Sequence, residues 1–369
     1  MGKRQQTRGI KSLDDLDVIV DGDAHILESL EEILEYMEND VSKKFISSAS
    51  DPTSMIYTAG LSGTLPSYYD TDDDIAGLSE GVIEKKLKEQ DDFDIDYGVL
   101  GPTLNLALPT VNNDRHAVAL AQAYNSFVMD KVAGKTDALT AAIIVPGQVP
   151  DKAAELIDRF GDEADAVQMP PSGLMPPIGY EKYDLIYEAA AKKDLPVVLH
   201  AGANNMTFPI QFKYCQTHPE SMITNFPFSL MWHLTSLIYH GAAERHPDVD
   251  FVFQEAGLGW APYTKFRMDD YYLAEGEYLP WMDKLPSDYM DEQVYFTTQP
   301  LGHTKDRPEF IANFVEMAGT GNVLFSSDLP HHDFDTPEEL FDRLKGNLDD
   351  EDIRAVMGEN AAKVFGFSY

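Results

Sequence analysis

Hydrophobic residues along this chain gather in short continuous runs instead of alternating with polar ones. Continuous apolar runs are typical of parallel β-strands, because both faces of such a strand are buried. The pattern therefore predicts a set of parallel strands, each confined to one run. The runs are residues 17–23, 96–103, 139–145, 165–169, 196–200, 250–255, 294–298 and 322–327.

Helical patterns follow nearly all of these strands. Regular alternation of strand and helix is typical of an α/β fold with a parallel sheet, and eight repeats predict a (β/α)8 TIM barrel. The closing segment "DEDIRAVMGENAAKVFGF" predicts one extra C-terminal helix. The other clear helical patterns are residues 29–39, 114–134, 183–193, 229–246 and 336–346.

The predicted strands are unevenly spaced. Residues of about 40–95, rich in Ser, Thr, Gly, Tyr and Asp, form a long insertion after the first strand. Insertions that follow barrel strands lie on the C-terminal face, where they can cover an active site. We therefore expect an N-terminal tail over 1–16 and a single barrel domain over 17–369.

The charge of the chain narrows its range of partners. The 63 acidic and 28 basic residues give a net charge of −35, and such a field repels nucleic acid and anionic membrane surfaces. No apolar stretch has the length of a membrane span. The single cysteine, Cys215, excludes an intrachain disulfide and a cysteine metal cluster, and it fits a reducing cytoplasm, where we expect the protein to be located.

The acidic residues are scattered along the chain instead of forming one tail. A scattered acidic shell around a full core predicts a halophilic protein, because high salt screens the self-repulsion of the shell. An ordinary acidic bacterial enzyme is the alternative. For the halophilic protein we expect the melting temperature to rise from low salt to molar KCl; a melting temperature that does not change over this range would contradict the prediction.

Polar residues stand at the C-terminal ends of four predicted strands: Asp23 and His25, His200, Glu255 and Asp328. In a barrel these ends converge on one mouth, and residues two apart on a strand, such as Asp23 and His25, point to the same face. A single histidine at a strand end is often a hydrogen-bonded core residue. The prediction of a metal site therefore rests on several such residues at the ends of different strands. Two histidines and two carboxylates suit a divalent cation, with room left for water or substrate.

Several stretches of the chain resemble one known family. They are "VDGDAHILE", "LPVVLHAG", "HGAAERHPDVDFVFQEAGLGWAPYTKFRMDDYY", "VLFSSDLPH" and "MGENAAKVFGF". From about residue 17 to its end the chain is similar to the amidohydrolase superfamily, in particular to its amidohydrolase-2 branch, which includes aminocarboxymuconate-semialdehyde decarboxylase and γ-resorcylate decarboxylase. The resemblance implies a homodimer and one divalent metal ion, for which we expect Zn²⁺ first and Mn²⁺ or Fe²⁺ as alternatives.

The resemblance also implies roles for individual residues. The metal motif of the family at the first strand, His-x-His or Glu-x-His, corresponds here to Asp23-x-His25, and the histidine ligand of the fifth strand corresponds to His200. The aspartate of the eighth strand, a ligand that also handles protons, corresponds to Asp328. The decarboxylases of the branch carry a histidine at the end of the sixth strand, where this chain has Glu255.

The ligand set changes the expected chemistry of the metal. Two neutral histidines and two aspartates around a divalent ion form a neutral shell, which makes the ion a weaker Lewis acid and its bound water less acidic. The extra carboxylate also makes Mn²⁺ or Fe²⁺ more competitive with Zn²⁺. Asp23 is predicted as a direct ligand, and the alternative is that it orients His25 from outside the coordination shell.

Two glutamates near the predicted mouth have open roles. Like charges at Asp23 and Asp328 should raise the pKa of Glu255, which would suit a proton donor. The alternative is that Glu255 forms a salt bridge with an arginine such as Arg267. Glu28, three residues after His25, has three interpretations: a metal ligand, a residue that contacts a ligand, or an acidic residue of the first helical turn.

Three histidines follow the last two strands. His303 comes just after the seventh strand, and His331 and His332 come after the eighth. Loops at these positions lie on the functional face of a barrel, so all three are predicted to contact substrate. The alternative for each is a solvent-exposed loop histidine.

These residues predict a metal-dependent hydrolase that acts on a small organic molecule. A metal-held water would attack a carbonyl-like carbon, Asp328 would take its proton, and Glu255 would protonate the departing group. The alternative at the same site is non-oxidative decarboxylation of an aromatic or dienoic acid, and a hydratase also stays open. A non-catalytic metal-binding barrel is the alternative of a different class. No dinucleotide-binding, P-loop or nucleophile-elbow motif is present in the sequence.

Overall fold

A computed structural model describes residues 9–47, 81–202, 218–331 and 333–369. Cys215, His332 and residues 48–80 of the insertion lie outside these ranges. Eight parallel strands pair in the order of the chain, which confirms the predicted (β/α)8 barrel. The strands are β1 Val20–Ile26, β2 Tyr97–Pro102, β3 Leu139–Ile144, β4 Ala166–Gln168, β5 Val197–His200, β6 Phe251–Gln254, β7 Val294–Thr297 and β8 Val323–Leu324.

Helices surround the strands, and their bounds follow local signals in the sequence. The first helix begins where the Ser29 hydroxyl accepts the N–H of Glu32 and the Glu32 carboxylate accepts the N–H of Ser29, a reciprocal cap for the free N–H groups of the first turn. The helices are α1 Leu30–Glu35, α2 Asp40–Ser47, α3 Val82–Asp92, α4 Asp114–Lys131, α5 Pro150–Phe160, α6 Asp184–Lys192, α7 His218–Tyr239, α8 Ala242–Arg245, α9 Trp260–Glu275, α10 Pro286–Gln293, α11 Glu309–Ala318, α12 Pro337–Leu344, α13 Asp350–Arg354 and α14 Asn360–Phe365. None of these described helices is both long and apolar enough to cross a bilayer.

The predicted C-terminal helix is interrupted. A π-helical turn, Ala355–Glu359, separates α13 from α14. Gly358 in this turn lies so close to the base of β1 that an added Cβ would be 2.3 Å from the carbonyl oxygen of Val18. The interruption therefore allows the end of the chain to pack directly against the bottom of the barrel.

The lower half of the barrel interior is apolar. Side chains from alternate strand positions fill it, including Val20, Ala142 and Val252, each at most 2% exposed. Residues of α14, among them Ala361 and Phe365, pack onto the same cluster from below. Burying each such large side chain contributes roughly 1.5–3 kcal/mol. The bottom is thus closed by hydrophobic packing, and the polar residues of the strands are left for the opposite mouth.

The strand β1 differs from its prediction because it extends to Ile26. Its register against β2 shifts between Asp21 and Ala24, so β1 contains one extra residue there, a β-bulge. Strict alternation would place Asp21 on the same side as Asp23 and His25. The bulge reverses the inward–outward alternation of side chains along β1. Asp23 and His25 therefore point into the mouth, while the side chain of Asp21 points to Ser327.

The segment after β8 closes the barrel against β1. The N–H of Asp328 donates to the carbonyl of Asp23 (2.9 Å), and the N–H of His25 donates to the carbonyl of Leu329 (2.8 Å). Regular pairing of β8 stops at Leu324, so these bonds continue the sheet beyond its last regular residue. We call residues 325–329 and their bonds to β1 the seam.

Candidate metal centre and active site

Three of the predicted ligands meet at the mouth of the barrel. Asp23 and His25 come from β1, His200 is the last residue of β5, and each is at most 2% exposed. The Nε2 atoms of His25 and His200 are 3.2 Å apart. The two carboxylate oxygens of Asp23 each lie 3.5 Å from one of these nitrogens. The potential ligand atoms of the three residues therefore share one small volume.

Hydrogen bonds fix how both histidines present their nitrogens. The Nδ1 of His25 lies 2.8 Å from the carbonyl oxygen of Pro102, and the Nδ1 of His200 contacts the carbonyl oxygen of Ala201. A carbonyl can only accept, so Nδ1 carries the proton and Nε2 presents a lone pair. Burial, followed by repulsion from other histidines, lowers the pKa of His25 and lowers that of His200 to about 3. Both rings are thus neutral, the form that binds metal.

Asp328 approaches His25 from the seam and forms with His25 and His331 a second group of potential ligand atoms, which overlaps the first at His25. Its Oδ1 lies 3.0 Å from the Nε2 of His25, and its Oδ2 accepts a hydrogen bond from the side-chain amide of Gln299 (3.2 Å). The backbone of Asp328 has a φ of +64°, a left-handed conformation that non-glycine residues rarely adopt outside turns and functional sites. The fold therefore keeps Asp328 in this position although its backbone conformation is slightly unfavourable.

The donor set fits a divalent cation. Two unprotonated Nε2 atoms face each other, and the Oδ2 of Asp23 is buried without a hydrogen-bond partner among the described residues. Burial, with repulsion from Asp328 and Asp21, raises the pKa of Asp23 well above its usual value. A cation among these atoms would relieve the repulsion and compete with the proton on Asp23. Asp23, His25, His200 and Asp328 are the residues that could hold it.

His331 lies directly behind Asp328. Its Nδ1 donates to Oδ1 of Asp328 (2.6 Å), and its Nε2 lies 3.1 Å from the hydroxyl of Thr103. Burial alone would lower the pKa of His331, but the Asp328 carboxylate raises it above its usual value. Burial alone would raise the pKa of Asp328, but the charge of His331 holds it below its usual value. The two residues form a buried ion pair.

Glu255 stands on the other side of the group. It directly follows β6 with a φ of +57°, and its Oε2 is 3.5 Å from the Nδ1 of His200. Burial, together with repulsion from the carboxylates of Asp328, Asp333 and Asp23, raises the pKa of Glu255 well above its usual value. Burial and these like charges therefore favour the acid form of Glu255.

The alternative interpretation of Glu255, a salt bridge with Arg267, is wrong. Arg267 lies on the exposed side of α9, where its Nη1 is 2.6 Å from the carboxylate of Asp270. The helical spacing of Arg267 and Asp270 supplies the arginine with a local partner at the surface.

Glu28 does not belong to the metal group. Its Oε1 accepts the backbone N–H of Asn105 (2.9 Å), and its Oε2 accepts that of Thr103 (3.0 Å). Glu28 thus positions the loop after β2, including the Thr103 hydroxyl that contacts His331.

Of the other two predicted substrate contacts, His303 is exposed in the loop after β7. His332 lies outside the described residues.

Sequence reasoning missed Asp21. Its Oδ1 accepts the backbone N–H groups of Asp23 (3.1 Å) and Ser327 (2.8 Å), and its Oδ2 accepts the hydroxyl of Ser327. The hydroxyl oxygen of Ser327 in turn accepts the N–H of Leu329 (2.9 Å). Asp21 therefore binds β1 to the seam next to Asp328.

Lys86 was also missed. This lysine of α3 is only 4% exposed. Its Nζ lies 2.5 Å from the carboxylate of Glu89 and donates to the carbonyl of Leu329 at 3.4 Å. The helix that ends the insertion is thus attached to the seam by the hydrogen bond from Lys86 to Leu329, and the ion pair with Glu89, within the same helix, holds the lysine in place.

Asp335 predicts a measurable dependence of stability on pH. Its Oδ2 accepts the N–H of Leu301 (2.8 Å), and burial raises its pKa from 3.8 to about 7. A carboxyl whose pKa is raised by folding stabilises the protein below the unfolded pKa, and this contribution is lost as the pH rises through the folded pKa. The loss between about pH 4 and pH 7 corresponds to at most about 4 kcal/mol.

We expect Asp335→Asn to reduce the slope of unfolding free energy against pH over this interval, since the amide oxygen still accepts from Leu301. Urea unfolding of both proteins at several pH values measures the slope. Equal slopes would show that Asp335 ionises normally in the folded protein.

The chain is similar to several known proteins. The Amidohydro_2 amidohydrolase family model matches residues 20–367. A γ-resorcylate decarboxylase from Rhizobium sp. (strain MTP-10005) is 22% identical over 287 residues, which cover 73% of this chain and 84% of that protein.

Two solved structures share the fold. The 5-carboxyvanillate decarboxylase of Sphingomonas paucimobilis has a TM-score of 0.71 at 16% identity, covering 95% of this chain and 99% of that one. A dihydroxybenzoic acid decarboxylase from Polaromonas sp. JS666, with bound manganese and the inhibitor 2-nitroresorcinol, has a TM-score of 0.66 at 16% identity, covering 95% of this chain and 97% of that one.

Proposed function

The chain belongs to the amidohydrolase family, and on that premise we propose that it is a metal-dependent decarboxylase of a small aromatic or dienoic carboxylic acid. The comparisons support this reaction, the alternative in the sequence analysis, better than the hydrolase that we expected first, because the relatives named above are decarboxylases. The substrate and the reaction are our proposal.

The residues proposed to bind the ion are Asp23, His25, His200 and Asp328. A divalent ion bound there would hold the substrate carboxylate and an adjacent oxygen, and would so orient the carbon that bears the carboxylate toward the proton donor. The manganese in the related decarboxylase supports Mn²⁺ for this chain, and the harder ligand set with two carboxylates favours the same ion. Zn²⁺, our first expectation from the sequence, stays a prediction.

The observation that carries the proposal is the short hydrogen bond between His331 and Asp328, 2.6 Å long and buried beside the metal group. Decarboxylation requires a proton on the carbon that bears the carboxylate. A C–H bond then forms, the C–C bond breaks, its electron pair returns to the ring or diene, and CO2 leaves. Asp328 faces the mouth, and His331 behind it can resupply a proton through this bond.

Glu255 has a second role in the proposal. Its carboxyl group lies next to His200. Burial favours its acid form, in which it can donate a hydrogen bond to an oxygen of the bound acid. Glu255 occupies the position at which the related decarboxylases are expected to have histidine. Both side chains supply a hydrogen-bond donor there, which reconciles the substitution with decarboxylation.

The test is to follow CO2 release and hydrolysis in parallel. Protein loaded with Mn²⁺ or Zn²⁺ is incubated in D2O with 2,6-dihydroxybenzoate and dienoic acids, and separately with amides and lactones. We expect CO2 and a product that carries one deuterium at the former carboxyl position, with activity lost on chelation and restored by metal. Hydrolysis of amides or lactones without CO2 from any acid would overturn the proposal in favour of the hydrolase.

The binding partner that we propose for this protein is its substrate, a small aromatic or dienoic carboxylic acid. The homodimer implied by the resemblance and the cytoplasmic location stay predictions, and gel filtration with light scattering would test the first.

A further inference from the structure

A cavity of about 330 Å³ opens beside the metal group at Glu255. Its walls are mainly apolar and include Met222, Phe226 and Pro227 of α7, with Pro300 from the loop after β7. A cavity of this volume is at the small end of the range for ligand sites and suits a single substituted ring. A molecule whose reacting carboxylate lies at the metal group can therefore place its far edge here.

Two acidic residues, Glu255 and Asp333, line the cavity. The described lining residues include no lysine or arginine. The charge of Asp333 acts on the site, since it contributes to the raised pKa values of Glu255 and His331.

The backbone of Asp333 is held in place relative to the metal group. Its carbonyl accepts a hydrogen bond from the side-chain amide of Gln299 (3.1 Å), and the same amide donates to Oδ2 of Asp328 (3.2 Å). Asp333 is therefore positioned by the same side chain that orients a predicted metal ligand.

We propose that Asp333 determines specificity by selecting acids that carry a hydrogen-bond donor, a hydroxyl or an amino group, at the edge of the ring away from the reacting carboxylate. A second carboxylate at that edge is rejected. This inference rests on the proposed decarboxylase function.

The physical reason is the cost of placing like charges together in a partly desolvated cavity. A hydroxyl or amino group donates to the Asp333 carboxylate and gains a charge-assisted hydrogen bond. A substrate carboxylate has only acceptor atoms, and no described cation of the wall compensates its charge. Discrimination by an unfavourable charge contact is a general route to specificity, and about 1.4 kcal/mol corresponds to tenfold in affinity.

The test uses competition for one reporter. 2-Nitroresorcinol, whose absorbance changes with its environment and which has no carboxylate to lose, is bound to the Mn²⁺-loaded full chain. It is displaced with 2-hydroxybenzoates that carry either an amino group or a carboxylate at position 4 or 5. We expect the better amino compound to bind at least about tenfold more tightly than either carboxy compound.

Two variants isolate the charge of Asp333. Asp333→Asn should reduce the preference to within about threefold, and Asp333→Lys should reverse it. Asp306→Asn removes the same charge from an exposed position of the loop after β7 and should keep the wild-type preference. Melting temperatures show whether each variant is folded.

The outcomes separate the two proposals. Equal binding of amino and carboxy compounds by the wild type, or an unchanged preference in folded Asp333→Asn, would overturn the role of Asp333 and leave the decarboxylase proposal intact. If neither the reporter nor any acid binds the metal-loaded protein, the proposed function fails, and the inference fails with it.

Discussion

Asp328→Asn is expected to lower the rate of CO2 release by about a thousandfold or more while the barrel stays folded. Asparagine has the same shape and can still accept the N–H of His331. It has no charge to bind a cation next to His25, and it cannot pass on a proton from His331. The loss thus combines a weakened metal site with a missing proton donor, which is why this single substitution should have the largest effect on activity.

The measurement is CO2 release at saturating metal and substrate, with circular dichroism to confirm the fold. Asp335→Asn is the matched control, because it makes the same chemical change at another largely buried carboxyl after β8. That control should keep its activity within a few fold at about pH 6. A folded Asp328→Asn protein with nearly full activity would show that Asp328 is neither an essential ligand nor the proton donor.

The largest effect on stability is expected for Lys86→Met. Lys86 and Glu89 are 4% and 2% exposed, so the substitution leaves the Glu89 carboxylate buried without its lysine. Removing one partner of a buried ion pair costs about 3–5 kcal/mol, whereas replacing both partners by apolar residues is often neutral. We therefore expect the double substitution Lys86→Met with Glu89→Leu to be clearly more stable than Lys86→Met alone.

Denaturant unfolding of the four proteins of this cycle gives the interaction energy. The loss of the Lys86 bond to the Leu329 carbonyl should also weaken metal binding, which titration calorimetry measures independently of unfolding. Lys86→Arg keeps the charge and should recover part of both losses. If the single and double variants are equally unstable, the pair does not contribute in this way.

The fold could be predicted because its main signal is local. A parallel strand buried on both faces needs an apolar run, and each of the eight runs overlaps an observed strand. The end of β1 was misplaced because Asp23 and His25 are polar, and their place in a strand depends on backbone partners in β2 and the seam. The π-helical turn was not predicted because it depends on the contact of Gly358 with Val18, which are far apart in sequence.

The candidate site was predictable to a similar extent. Topology brings strand ends together, so reasoning from strand ends placed His25, His200 and Asp328 in one group. Lys86 gave no signal, because a lysine in a charged helix is normally exposed, and its acceptor Leu329 lies 243 residues away in sequence. Asp21 was hidden by the bulge in β1, which no alternation pattern shows.

The seam has a kinetic consequence. Amide hydrogens of His25 and Asp328 exchange with solvent only when the bonds between β1 and residues 325–329 separate, and the same separation moves Asp328 away from His25. Release of the ion and exchange of these two amides would therefore proceed through one opening event, with a common free energy below that of global unfolding. The lifetime of the enzyme with its bound ion would then depend on how rarely the barrel opens at the seam.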